Sequence, residues 1–401
     1  MKSSELALGA RLNKEVFFIV VLLTTTIITR IMLYPNLYSD FTIFYDYWTN
    51  LLRGYGPSVI ASDFANYNTP YLLLLWIYSL VIPSNLAVVK GVSLTFDIIM
   101  AIGVIKTVGH FKPDGYTKYL AGSVMLMLPT VLINSAAWGQ TDSILGALTI
   151  WAVYFCLKDK MHLSWIVVGI LFAVKMQGIF IVPVLFAISL NRRKAFITGP
   201  LAAIASCVVF SAPTLLVGDT PQRIISVFTR GAASSFEEDY LSWWMSNLMQ
   251  WFPNQHYDVI RIVAIGVGLA ISLAIVIYGF RSKRFNDEVC MILIAFCMMV
   301  LPFILPQMHG RYYYPGEIVL FVLAFVLPRT SWYVYLSQLV AMLTFLIALT
   351  GVGQMFWAFR ILSIGIFIVL AGLIRYLYIM DKDVKEKIEE KFDECEKDCI
   401  S

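Results

Sequence analysis

Residues 195–217 read AFITGPLAAIASCVVFSAPTLLV, a run of 23 residues without one charged side chain. A helix that crosses the hydrocarbon core of a bilayer needs about 20 apolar residues. Comparable runs recur along the chain of 401 residues, of which 59% are hydrophobic and 14% are charged. Soluble domains carry about 25% charged residues. The sequence therefore predicts an all-α, polytopic membrane protein and excludes a soluble protein with a single anchor.

Apolar runs of this kind predict about twelve transmembrane helices. We place them near 16–34, 87–105, 119–133, 143–157, 163–174, 178–190, 195–217, 259–279, 289–305, 316–328, 332–350 and 358–379. The span 163–190 is too short for two full crossings, so it is either a single crossing or a short hairpin around Lys175. Irregular backbone at membrane depth is tolerated where it lines a cavity, and this favours the hairpin.

The basic residues predict the orientation. In a twelve-helix arrangement, 21 of the 30 Lys and Arg residues fall in segments that share one side with both termini. Cytoplasmic segments carry such an excess, so we expect both termini in the cytoplasm. Residues 1–379 form the membrane domain in this interpretation, and residues 380–401 form a charged cytoplasmic tail.

Two outer segments are long, near 35–86 and 218–258. In the first, Phe41, Tyr45, Trp48 and Leu52 recur at helical spacing, which predicts an amphipathic helix in the membrane interface. The second segment carries three tryptophans of the kind found at headgroup level: Trp243, Trp244 and Trp251.

Polar side chains that lie against the outer leaflet are functional candidates, because charge at membrane depth is costly. Asp40 directly follows the first crossing, where a carboxylate is suited to general-base chemistry. It is equally suited to capping the helix that starts near residue 42.

A second group lies at the outer start of the fourth crossing. Trp138, Gln140 and Asp142 offer an indole platform and hydrogen-bonding groups suited to sugars, or else a helix start with a structural tryptophan. Lys175 and Gln177 interrupt an apolar stretch. A buried lysine must find a partner or lose its proton, so a structural ion pair is the alternative for Lys175.

A third group is the segment Met308-His309-Gly310-Arg311-Tyr312-Tyr313-Tyr314-Pro315. His309 and Arg311, flanked by aromatic residues, are typical of a phosphate clamp, while an aromatic belt with a snorkelling arginine is the alternative. The acidic run Glu237, Glu238 and Asp239 predicts either a divalent-ion site or a solvated loop.

A base, a polar and aromatic cradle and several cations thus project to one face. This combination favours transfer of a group from a phosphate leaving group to a hydroxyl, because cations stabilise the charge that develops on the departing phosphate. We find no P-loop and no dinucleotide fingerprint, so a nucleotide substrate is not indicated.

Several of these segments resemble successive motifs of one family. They are, in order, Tyr38-Ser39-Asp40-Phe41, Asn66-Tyr67-Asn68-Thr69-Pro70-Tyr71, Trp138-Gly139-Gln140-Thr141-Asp142, Lys175-Met176-Gln177 with Pro183 downstream, and the segment 308–315. The family is that of prokaryotic membrane glycosyltransferases of the GT-C superfamily, related to the glycosylphosphatidylinositol and phosphatidylinositol mannosyltransferases. The resemblance runs from about 38 to 328.

The resemblance implies a polyprenyl-phosphate sugar donor and inverting transfer of a hexose, of mannose or glucose type, on the outer face of the cell membrane. It implies that Asp40 is the base and that His309 and Arg311, with Lys175, hold the donor phosphate. Trp138, Gln140, Asp142, Gln177, Tyr312 and Tyr67 would then form the sugar and acceptor pocket. No metal and no cofactor are expected, and the acceptor is a glycolipid, a polysaccharide or a protein.

This sequence departs from the family pattern in two places. The family's Tyr-Pro-Pro appears as Asn68-Thr69-Pro70, and the acidic residue common between its His and Arg is Gly310. Two rival interpretations stay open, namely a twelve-helix secondary transporter and a non-catalytic subunit that binds or flips lipid-linked sugars.

Overall fold

The structure is a computed structural model that describes residues 2–62, 64–233, 240–242, 244–283, 285–350 and 356–400. The described residues form helices joined by short turns, and no β-strand occurs among them. The predicted acidic run 237–239 and Trp243 lie outside the described residues.

Sixteen α-helices make up the described chain. Their bounds are α1 Lys2–Leu33, α2 Asp46–Tyr55, α3 Thr69–Ser79, α4 Asn85–Phe111, α5 Thr117–Met125, α6 Pro129–Val131, α7 Asp142–Leu157, α8 Met161–Val174, α9 Val182–Arg192, α10 Thr198–Ser211, α11 Pro221–Ala233, α12 Tyr257–Arg281, α13 Asp287–Ile304, α14 Tyr314–Val326, α15 Ser331–Thr350 and α16 Phe356–Ile400. Two π-helical turns border site residues: Phe41–Tyr45 directly follows Asp40, and Leu132–Trp138 ends at Trp138.

Seven helical stretches of the described chain are long and apolar enough to cross a membrane, and an eighth is the bent pair Thr117–Met125 and Pro129–Trp138. The seven are Lys14–Leu33, Asn85–Phe111, Thr198–Val217, Asn254–Arg281, Asp287–Ile304, Pro328–Thr350 and Trp357–Met380. Each matches a predicted crossing, so the described chain is all-helical and carries several helices suited to spanning a membrane.

The other four predicted crossings correspond to shorter helices. These are α7, α8, α9 and α14, with 16, 14, 11 and 13 residues. At about 1.5 Å per residue such helices are shorter than a hydrocarbon core of about 30 Å. The count of twelve crossings therefore stays a prediction.

The segment around Lys175 is a hairpin. The guanidinium of Arg192, at the end of α9, donates to the carbonyl of Cys156 at 2.7 Å, and Lys194 is bonded to Asp159 just before α8. The two ends of the segment therefore meet, and the chain reverses at Lys175. Asp287 joins the same end through His110 at 2.7 Å and Arg192 at 2.8 Å. We call this the basic end and the opposite one the site end.

The predicted amphipathic helix is observed as the first π-helical turn followed by α2. The four predicted apolar positions, Phe41, Tyr45, Trp48 and Leu52, are buried, and they pack with residues of α3 and α4. The apolar face of this helix therefore covers the protein itself at the site end.

Candidate active site

A cavity of about 640 Å³ opens at the site end between the first long segment, the tip of the hairpin and the turn before α14. One side of it is aromatic and one side is charged. The lining residues that the sequence singled out are Asp40, Tyr67, Lys175, Gln177, His309, Arg311 and Tyr312. Three separate stretches of sequence thus meet at one place.

Asp40 faces the cavity and does not cap a helix. Its own backbone is already helical, and its side chain makes no capping hydrogen bond. Its Oδ2 instead accepts hydrogen bonds from Trp138 Nε1 at 3.1 Å and from Gln140 Nε2 at 2.6 Å. The capping interpretation is therefore wrong, and the carboxylate is held in place by Trp138 and Gln140, which lie behind the cavity wall.

Gln140 connects Asp40 to the cationic side. While its amide nitrogen donates to Asp40, its Oε1 accepts from the Tyr45 hydroxyl at 3.1 Å and from Arg311. The side chain is fully buried. These partners fix the orientation of the amide, because only its oxygen can accept from a guanidinium.

The turn that carries Gln140 depends on Gly139. This residue has φ +76°, and a Cβ there would lie 3.1 Å from Val89 Cγ1 and 3.4 Å from Lys90 Cγ. A left-handed backbone in close contact with α4 favours glycine. The Ser93 hydroxyl of α4 also donates to the Gln140 carbonyl at 2.8 Å, so α4 sets the position of the turn.

Lys175 and Arg311 share the buried carboxylate of Asp142. Lys175 Nζ lies 2.9 Å from Asp142 Oδ1, Arg311 lies 3.7 Å from Oδ2, and Asn134 donates to Oδ2 at 3.0 Å. Asp142 is only 1% exposed and lies behind the cavity wall. The ion pair considered for Lys175 is thus present, and its ammonium lines the cavity as well.

Aromatic rings surround both cations. Lys175 Nζ lies 5.7 Å from the ring centroid of Tyr67 and 5.6 Å from that of Tyr312, and the Arg311 guanidinium lies 4.8 Å from that of Trp138. Burial raises the pKa of the Tyr67 phenol, but the charges of Lys175 and Arg311 outweigh burial and bring the pKa below its ordinary value of 10.0. The rings hold the two cations at fixed positions facing the cavity.

His309 lies on the same wall as an uncharged group. Burial, followed by the neighbouring charges of Arg311 and Lys175, lowers its pKa from 6.5 to about 3. A neutral imidazole can still donate one hydrogen bond to a phosphate oxygen. A phosphate bound here would meet the charges of Arg311 and Lys175 and could accept a hydrogen bond from His309.

The low pKa of His309 predicts an acid-sensitive fold. Between pH 6.5 and 3 the unfolded chain binds a proton at this histidine that the folded chain does not, so stability falls as the pH falls through this window. We expect His309→Gln to lose less melting temperature between pH 7 and pH 4.5 than the parent protein. Thermal unfolding in detergent measures this difference. The control is His162→Gln, because His162 is hydrogen-bonded to Thr198 and lies outside the cavity. Equal acid sensitivity of the parent protein and His309→Gln would contradict the assignment.

The departure at Gly310 has a steric reason. A Cβ at this position would lie 2.5 Å from Thr344 Cγ2 and 2.9 Å from the backbone oxygen of Trp244. An acidic side chain between His309 and Arg311 therefore has no room here. At the second departure, Pro70 lies in the first turn of α3, and Asn68 donates a hydrogen bond to the Ala173 carbonyl at 2.9 Å.

The crowding at Gly310 gives a stability prediction. Gly310→Ala forces α15 or the backbone near residue 244 to move, and overpacking of this kind costs about 1–3 kcal/mol. Gly266→Ala is the matched control, because nothing lies within 4 Å of a Cβ there, and we expect it to be neutral or slightly stabilising. Thermal unfolding of both variants measures the difference, and equal melting temperatures would refute the close packing.

Three predicted pocket residues, Trp138, Gln140 and Asp142, stand one layer behind the lining and hold it in place. Gln177 does line the cavity, and its buried Oε1 accepts no hydrogen bond from the described residues. The sequence analysis gave no site role to Tyr45, Arg30, Lys90 or Asp97. The last three are charged residues inside predicted apolar runs, and this was the signal that could have identified them.

Comparison with known proteins assigns no family to the chain: no family model matches it, and no curated protein matches it.

Proposed function

We propose that the chain is a membrane glycosyltransferase that moves a hexose from a polyprenyl-phosphate donor to an acceptor hydroxyl. One observation carries the proposal. Asp40, two cations and His309 line one cavity, and Gln140 connects the carboxylate to Arg311. This arrangement has a base on one side and a site for an anionic leaving group on the other.

The chemistry follows from that arrangement. Asp40 accepts the proton of the acceptor hydroxyl while the hydroxyl oxygen forms a bond to the anomeric carbon. The bond from that carbon to the phosphate oxygen breaks, and its electron pair leaves with the lipid phosphate. Lys175 and Arg311 stabilise the negative charge on this phosphate, and His309 donates a hydrogen bond to it. Attack from the face opposite the phosphate inverts the anomeric configuration.

The proposal also includes the orientation of the protein in the membrane. The basic end carries Lys158, Lys160, Arg192, Arg193 and Lys194, and basic segments remain in the cytoplasm. The site end would then face the outer side, with twelve crossings and both termini inside. The polyprenyl chain of the donor would stay in the bilayer while its phosphate enters the cavity. We expect no metal, because protein cations supply the needed charge.

One observation favours the secondary transporter as a second candidate. Glu317 on α14 is 1% exposed and accepts a hydrogen bond from Ser337 at 3.2 Å. Carboxyl groups at membrane depth are common in proton and ion paths. The transporter needs no base at Asp40, and this separates the two candidates.

The test is a panel of purified donors and acceptors. The protein is incubated with polyprenyl-phosphate mannose or glucose and with glycolipid, saccharide or peptide acceptors, and the product linkage is read by NMR. We expect one donor to give a product with inverted anomeric configuration. Retention of configuration, or substrate flux into liposomes without any transfer, would overturn the proposal.

A further inference from the structure

The helix that leads to Asp40 makes little apolar contact with the rest of the protein. Only 6% of the membrane-spanning window of α1 is buried, and Ile31 and Met32 near its end are 67% and 72% exposed. In a bilayer, apolar side chains gain little from leaving lipid, because lipid tails are as apolar as leucine. Polar contacts must therefore set the position of α1.

Arg30 makes the first of these contacts. Its guanidinium lies 2.8 Å from Asp97 Oδ2, donates to the Ser135 hydroxyl at 3.1 Å and reaches the Leu126 carbonyl at 3.4 Å. Asp97 is fully buried on α4, and Ser135 belongs to the π-helical turn that ends at Trp138. Arg30 thus ties α1 to the segment that holds the Asp40 carboxylate.

Lys90 makes the second contact, at the end of α1 and in the turn that follows it. Its ammonium donates to the carbonyls of Leu33, Tyr34 and Asn36 at 3.3, 2.7 and 2.9 Å. Leu33 is the last residue of α1, and carbonyls at the C-terminal end of a helix carry a partial negative charge. The three N–H groups of the ammonium thus meet three carbonyl oxygens. Lys90 is only 6% exposed, so these carbonyls replace water around its charge.

The stem of Lys90 lies close to the other half of the site. Its Cγ lies 3.4 Å from where a Cβ of Gly139 would stand, between Trp138 and Gln140. One side chain therefore spans from the turn that precedes Asp40 to the turn whose residues bind Asp40. A buried cation is a costly way to cap a helix, and a neutral polar residue would serve if capping were its only role.

We propose that Lys90 and Arg30 are positioning residues, which set the distance between the Asp40 carboxylate and the Trp138–Gln140 turn. The inference rests on the proposed glycosyltransferase function. Neither residue lines the cavity, so neither touches the substrates. Losing either contact lets the Asp40 segment shift while the cations on the opposite wall stay in place.

The first experiment uses Lys90→Met, which keeps an unbranched side chain and removes the ammonium. A displacement of about 1 Å at a reacting group costs about 100-fold in rate. We expect kcat to fall by about 100-fold with KM for the donor unchanged, and Lys90→Arg to restore most of the rate. Arg360→Met is the matched control, because Arg360 also donates to a backbone carbonyl, that of Gln250, at 2.7 Å but lies away from the cavity.

A second readout does not need turnover. The rate at which a carbodiimide modifies Asp40 is measured by mass spectrometry, with Asp46 as the internal reference. We expect modification of Asp40 to speed up in Lys90→Met and in the charge-free double variant Arg30→Met with Asp97→Asn. The double variant avoids leaving Asp97 buried without its partner, which would itself be destabilising.

The outcomes separate the inference from the function. If the parent protein transfers sugar and Lys90→Met does so equally fast, with unchanged modification of Asp40, the positioning role is overturned. If the parent protein transfers nothing, the proposed function fails, and the modification rates alone decide whether Lys90 and Arg30 place Asp40.

Discussion

In Asp40→Asn, sugar transfer falls by about 10²- to 10⁴-fold while the affinity for the donor stays near that of the parent protein. The range is that of general-base catalysis lost with one side chain. An asparagine oxygen can still accept from Trp138 and Gln140, so the cavity keeps its shape, but an amide cannot take the acceptor proton. Initial rates and donor binding, both measured in detergent, check the two parts separately.

A matched control lies six residues further along the chain. Asp46 accepts hydrogen bonds from Asn50 at 3.4 Å and from Asn85 at 2.8 Å, and it does not line the cavity. Asp46→Asn should leave transfer unchanged. A variant Asp40→Asn that transfers at the parental rate would remove Asp40 as the base.

The second large effect concerns stability. Asp142→Asn leaves the charges of Lys175 and Arg311 buried without their shared carboxylate, and breaking a buried pair from one side costs about 3–5 kcal/mol. We expect a large fall in melting temperature together with loss of donor binding, because the two cations no longer hold their positions. Thermal unfolding with and without the donor measures both effects.

Two further variants sharpen this prediction. Lys194→Met removes a pair with Asp159 whose side chains are 51% and 32% exposed, and such exposed pairs contribute about 1 kcal/mol or less. Adding Lys175→Met to Asp142→Asn should recover part of the lost stability. A melting temperature for Asp142→Asn equal to that of Lys194→Met would show that Asp142 does not hold Lys175 and Arg311 in place.

The sequence predicts the seven long apolar helices because an apolar run of bilayer length has few other uses. It does not settle the shorter ones. α7 and α14 are surrounded by protein, and a helix in that position need not match the thickness of the bilayer. A count of apolar runs includes these short helices and reaches twelve crossings, whereas the lengths of the helices support seven or eight.

Much of the candidate site was also predictable, because polar residues at the edges of apolar runs stand out. Asp40, Lys175, His309 and Arg311 were found in this way and line one cavity. The pairing of Asp142 with both cations was not predictable, since it joins residues 33 and 169 positions apart. The charge of Lys90 inside a predicted apolar run was visible in the sequence, but its partners were not, because they are backbone carbonyls.

The central claim is most directly tested by counting both products of one reaction. The purified protein receives labelled polyprenyl-phosphate hexose and an acceptor, and free polyprenyl phosphate and glycosylated acceptor are measured together. The account predicts that the two appear in equal amounts with the parent protein, and that both nearly vanish with Asp40→Asn although that variant still binds the donor. The account would be contradicted if the parent protein released neither product, or if Asp40→Asn released both products at the parental rate.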